Sequence, residues 1–150
     1  MLPLEPNLEV RSCLPARRNG NGRKPPLLFV HGGYCDAWCW APHFLPWFAA
    51  RGYAAHALSL RGHGASGGRE TMFVTGLDEF AADVEHVAAG LPVPPVLIGH
   101  SMGGLCALTF AGILKSENIP VSLVVTIDPA QASPKVPLNV ERFINVFLSD

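Results

Sequence analysis

Short apolar runs alternate along this chain with longer segments whose apolar positions recur every three or four residues. That order is expected of strands joined in parallel by helical crossovers. Four runs read as strands: Leu27-Leu28-Phe29-Val30, residues 54–60, Val96-Leu97-Ile98 and Leu123-Val124-Val125-Thr126-Ile127. The first, third and fourth are apolar almost throughout, as in a sheet covered by helices on both faces. Residues 8–14 offer one more short strand ahead of them. A helix is expected from about Pro42, with Phe44, Leu45, Trp47 and Phe48 packing inward, Gly52 stopping it and Pro46 interrupting it. Over residues 78–90 the stripe Leu77, Phe80, Ala81, Val84, Val87, Ala88 and Leu91 predicts a second helix, with Thr75 and Asp78 at capping-box spacing. Leu105, Leu108 and Ile113 continue a third helix after Gly103-Gly104. Val140, Phe143, Ile144 and Phe147 suggest a last helix at residues 139–148.

The fold class is therefore α/β, a mostly parallel sheet with helices on both faces, in a single domain without internal repeats. Composition agrees: 49% of the 150 residues are hydrophobic and 15% charged, as in one soluble globular domain. Eleven basic and 12 acidic residues are mixed along the chain and leave a net charge of -1. No electrostatic footprint for nucleic acid or an acidic membrane results, and a small, neutral ligand is the expected partner. No apolar run approaches the roughly 20 residues that cross a bilayer, and residues 1–10 lack the pattern of a signal peptide. A cytoplasmic protein is the expectation. Residues 16–26, rich in turn-forming and basic side chains, read as an exposed loop. The cysteines Cys13, Cys35, Cys39 and Cys106 have no CxxC spacing, and Cys35 and Cys39 sit in an aromatic loop, so reduced thiols are expected, with no metal and no cofactor.

The densest chemistry lies at Leu97-Ile98-Gly99-His100-Ser101-Met102-Gly103-Gly104. A G-x-S-x-G run directly after an apolar strand and directly before a helix is the context of a nucleophile elbow. So sharp a turn strains the serine backbone and presents its hydroxyl, while the flanking glycines let neighbouring chains approach. The first amides of the following helix are left unpaired beside the serine, so an oxyanion forming there is stabilised. Met102 is the natural donor. A second should come from Val30-His31-Gly32-Gly33, with Gly33 the candidate and Gly32 and Tyr34 lining the pocket.

The order His31-Gly32, then Trp38-Cys39-Trp40, then Arg61-Gly62-His63-Gly64-Ala65-Ser66, then Gly99-His100-Ser101-Met102-Gly103-Gly104 resembles the α/β-hydrolase superfamily from Leu27 to Asp128. The loop Gly33-Tyr34-Cys35-Asp36-Ala37-Trp38-Cys39-Trp40 looks like that of its small methylesterase and hydroxynitrile lyase branch. The resemblance implies a serine hydrolase of carboxylic-ester type, with Ser101 attacking a small-molecule ester and Met102 and Gly33 holding the oxyanion. It also implies that the triad acid follows a later strand and the histidine the last one. On that pattern the chain is an incomplete hydrolase domain, with a core over residues 26–133 and the start of a cap or lid over 134–150. Asp128, at a strand's carboxyl end, is the candidate acid; otherwise Asp128-Pro129 is a strand-ending turn. His31 reads as a loop-stabilising hydrogen-bond partner, His100 as facing away from the serine, and His43, His56, His63 and His86 as no base. Stopping early would leave residues 123–127 as an open edge suited to self-association. The competing reading is a catalytically inactive protein of this fold that binds a small apolar ligand or a partner.

Overall fold

The computed structural model describes residues 6–16, 24–130 and 134–147. Most of the expected exposed loop at residues 16–26 lies outside them. Among the described residues one six-stranded sheet forms, with strands β1 (Val10–Cys13), β2 (Leu27–Val30), β3 (Ala55–Leu58), β4 (Val96–His100), β5 (Val124–Ile127) and β6 (Phe143–Val146). Their spatial order is β1-β3-β2-β4-β5-β6. β1 runs antiparallel to β3 and every other pairing is parallel.

Each residue of β2 is buried, and alternate side chains serve two different cores. Leu28 and Val30 join Leu58, Leu60, Val84, Leu97 and Phe110 beneath helices α2 (Leu77–Ala89) and α3 (Met102–Ser116). Leu27 and Phe29 join Trp40, Leu45, Ala57 and Ile98 on the opposite face, beneath helix α1 (Phe44–Ala49). Apolarity at every position is thus explained by burial on both sides.

Proline 46 is less awkward than its interior position implies. The helix begins at Phe44, so Pro46 stands in the first turn, where an amide has no intrahelical acceptor to lose. The capping of α2 shifts by one residue from the expected one. Gly76 is the N-cap and its amide donates to Glu79 Oε2 at 2.8 Å, whereas the Thr75 hydroxyl turns back to the Thr71 carbonyl.

The last element differs in kind from the expectation. Residues 143–146 form a strand, not part of a helix, and pair with β5 from Val124↔Phe143 to Ile127↔Val146. The apolar spacing at Val140, Phe143, Ile144 and Phe147 suited a helix, but β5 offered an unpaired row of backbone groups that a strand satisfies and a helix does not. β5 is consequently an interior strand. The edge passes to β6, where Phe143, Ile144 and Val146 remain 38–49% exposed.

Candidate active site

From β2 the chain passes to β3 on one side, then reaches β4 on the other. The carboxyl ends of β2 and β4 therefore flank the point where the strand order reverses, where open α/β sheets hold their ligands. The loop His31–Tyr34 leaves one of these ends and Ser101 leaves the other.

Ser101 occupies φ 51° and ψ -117°, between the last residue of β4 and the first of α3. No L-residue adopts that backbone without cost, so the neighbours must hold it there. They do so closely. A methyl group on Gly99 would overlap the Gly103 backbone, and one on Gly103 would overlap the Val30 carbonyl. One on Gly32 would stand 3.2 Å from Ser101 Cβ and 3.0 Å from His100 Nδ1. The glycines of the motif are thus spaces into which a strand, a helix and a loop press together. The Ser101 amide donates to the Ile127 carbonyl at 2.9 Å, tying the turn to β5.

The serine itself is half-buried, as is Met102, while Gly33 and Tyr34 are exposed. Met102 is the first residue of α3. Among the described residues, neither the Met102 nor the Gly33 amide has a backbone acceptor. Tyr34 has φ 61° and a fully exposed ring at the mouth of the loop.

His31 is fully buried and its ring is engaged at both nitrogens. Nδ1 lies 2.7 Å from the Gly32 carbonyl, and Nε2 accepts the Leu60 amide at 3.0 Å. An acceptor role at Nε2 places the proton on Nδ1, so the ring is neutral. Burial pushes its pKa below the ordinary 6.5. The ring of His63 lies 4.9 Å away, with Nδ1 3.0 Å from the Arg61 carbonyl. His100 points toward Trp40, with ring centroids 6.5 Å apart. Among the described residues no histidine hydrogen-bonds to the Ser101 hydroxyl.

Asp128 follows β5 as Ser101 follows β4, and the register pairs His100 with Ile127, so the two positions are neighbours at the carboxyl edge. Asp128 is exposed with φ 41°, and its amide donates to the Val146 carbonyl.

Two features beneath the site were not foreseen. Asp83, buried on α2, grips the loop after β3: its Oδ2 accepts the Arg61 amide at 2.8 Å and its Oδ1 accepts Arg61 Nε at 2.9 Å and Nη2 at 2.6 Å. Glu9 Oε2 accepts the Ser59 hydroxyl at 2.7 Å and the Ala65 amide at 3.0 Å, and Ser59 Oγ in turn accepts the Ala37 amide at 2.9 Å. These bonds hold the Glu9 carboxyl below the usual range, the Ala65 amide contributing most. The placement of Asp83 off the main apolar stripe concealed the first, and Glu9 lies 50 residues from Ser59. A surface hollow of about 340 Å³ lies away from Ser101, lined by His43 before α1 and by Phe44, Trp47 and Phe48 on it.

A model of the alpha/beta hydrolase family matches residues 27–149. Methylesterase 3 of Arabidopsis thaliana is 31% identical over 106 residues, covering 69% of this chain and 40% of that protein. Protein phosphatase methylesterase 1 of Bos taurus is 36% identical over 104 residues, covering 67% of this chain and 26% of the relative. The match thus spans well under half of either relative. Among solved structures, a thioesterase domain from the curacin biosynthetic pathway superposes with a TM-score of 0.64 at 28% identity, over 80% of this chain and 41% of that one. An epoxide hydrolase of Bacillus megaterium gives 0.64 at 23% identity over 83% and 39%, a likeness of fold alone. Among the described residues no helix is long and apolar enough to cross a membrane. With the family match running through the loop after β2, the elbow at Ser101 and the strands beyond it, the chain belongs to the alpha/beta hydrolase family.

Proposed function

We propose that this chain carries the nucleophile and oxyanion-binding part of a serine hydrolase acting on small carboxylic esters. The observation that carries the reading is the backbone of Ser101, held at φ 51° by strands and glycines that leave it no alternative. In the proposed reaction the Ser101 hydroxyl attacks the ester carbonyl and the Met102 and Gly33 amides receive the developing oxyanion. The alcohol leaves, and water then releases the acid from the acyl-enzyme. The methylesterases among its relatives support an ester as substrate. Asp128, beside Ser101 at the carboxyl edge, is the proposed acid. His31 is committed to the Gly32 and Leu60 backbone and is given no part as general base in this reading.

The test is labelling of the purified chain with a fluorophosphonate probe, followed by peptide mapping, with Ser101→Ala as control. Label on Ser101, acquired slowly because no described histidine takes its proton and absent from the control, is expected. Label on another serine, or none in a sample shown to be folded, would overturn the assignment. A second reading, a non-catalytic ligand-binding protein of this fold, draws on the same missing histidine contact. It predicts an unlabelled serine together with measurable binding of a small apolar ester.

A further inference from the structure

Strand β1 is an edge of the sheet, and the face it turns toward α2 holds a nucleophile and a base that the reaction at Ser101 does not use. Successive side chains of a strand alternate between faces, so Leu8, Val10 and Ser12 share one. With His56 of β3, Val87 in the last turn of α2 and Leu91 just beyond it, they line a groove of about 560 Å³. The Ser59 amide donates to the Glu9 carbonyl at 2.9 Å, which puts the backbone-bonded pairs on Glu9, Arg11 and Cys13. Ser12↔His56 is therefore a pair that exchanges no backbone bonds, the kind whose side chains stand closest. Ser12 Oγ lies 2.7 Å from His56 Nδ1, and with the ring proton on Nε2 the hydroxyl donates to that nitrogen. The same parity turns the Ser12 amide outward from the sheet edge, where among the described residues it has no backbone acceptor.

We propose that Ser12 and His56 are a second nucleophile and base, and that Ser12 is acylated by activated esters whose apolar chain lies along this groove. The pair sits level with Leu28 and Leu97, toward the amino ends of the parallel strands, whereas Ser101 follows their carboxyl ends. The inference thus goes beyond the proposed hydrolysis and does not depend on it. Burial pushes the His56 pKa below the ordinary 6.5, so the ring is neutral and able to accept a proton at pH 7. Ser12 Oγ attacks the acyl carbon while its proton passes to His56 Nδ1. The outward Ser12 amide receives the transient oxyanion. The bond from the acyl carbon to the leaving oxygen then breaks, and Nδ1 returns the proton to that oxygen. One ester and one hydroxyl become an O-acylserine and an alcohol, with no other reactant. Leu8 and Val10 on one side and Val87 and Leu91 on the other give the groove two apolar walls, which favour a chain of several methylene groups over an acetyl group. His86 is the other titratable group on the groove, and the rest of its lining is uncharged.

The purified chain is incubated with excess p-nitrophenyl octanoate, and acylated peptides are quantified over time by mass spectrometry. Ser116 is the internal reference: it is exposed, its hydroxyl donates to the Ile113 carbonyl, and among the described residues it pairs with no histidine. Ser12 is expected to be acylated roughly a hundredfold faster than Ser116. Its rate should climb with pH and level off, with a midpoint below pH 6.5, as His56 loses its proton. With p-nitrophenyl acetate the advantage of Ser12 over Ser116 should shrink roughly tenfold, the worth of about two buried methylene groups. His56→Gln should bring Ser12 down to the rate of Ser116; the pH profile of the parent chain tests the same role without relying on that variant to fold. Acylation of Ser12 no faster than Ser116, an unchanged rate in folded His56→Gln, or a profile without a midpoint below pH 6.5 would each overturn the pair as nucleophile and base. An equal advantage with acetate and octanoate would overturn the groove as the site of the chain.

Discussion

Replacing Asp83 by Asn tests how far the fold depends on one buried carboxylate. In the parent chain Asp83 is 1% exposed and accepts three donors, all from Arg61. An asparagine fills the same volume but has one acceptor oxygen. In its best orientation that oxygen keeps the guanidinium, and its NH2 group then faces the Arg61 amide, donor against donor. Breaking one side of a buried ion pair costs about 3–5 kcal/mol. The Arg61 side chain is 19% exposed and recovers some hydration, so the lower end, about 3 kcal/mol, is expected. For a domain of this size that loss lowers the melting temperature by roughly 6–12 °C. Urea unfolding followed by far-ultraviolet circular dichroism measures it, with the slope on denaturant checking that both states keep their compactness. The pair Arg61→Met with Asp83→Leu should recover part of the loss, since no charge is stranded but the residue-61 amide still lacks its acceptor. A loss below about 1 kcal/mol in Asp83→Asn would refute the view that α2 clamps the loop after β3 through this carboxylate.

Gly103→Ala should destabilise the chain by about 3 kcal/mol or prevent folding, because its methyl group would overlap the Val30 carbonyl. Gly33→Ala meets nothing within 4 Å and should stay within about 0.5 kcal/mol of the parent; equal losses in the two variants would contradict the packing described. His31, with its folded pKa below the unfolded 6.5, adds stability that is full above pH 6.5 and drains away as pH falls toward the folded value. Nitrogen chemical shifts should show the neutral Nδ1–H ring persisting below pH 6.5; a ring that titrates at 6.5 would rule out its paired placement.

Much of this architecture was legible in the sequence because local pattern and tertiary demand agree there. Leu27 to Val30 is apolar at every position and is buried on both faces. Gly99, Gly103 and Ser101 announced the strained turn from β4 into α3 because it tolerates so few residue types. Residues 143–146 were misread for the opposite reason: a short edge strand exposed at every position imposes no two-residue alternation to contradict the helical spacing, and the partner that decides, β5, lies about twenty residues earlier. The Arg61 clamp and the Glu9 network were illegible because each joins polar residues across long stretches of chain, and polar residues carry no periodicity to betray their partners.

The bond from the Ser101 amide to the Ile127 carbonyl makes the Ser101 peptide a rung of the sheet rather than part of a loop. Its placement therefore inherits the stiffness of the sheet, whereas Gly33 and Tyr34 stand on an exposed segment outside it. In the proposed reaction, heating would loosen the Gly33 side before it displaced the Ser101 hydroxyl, so recognition would fail before attack.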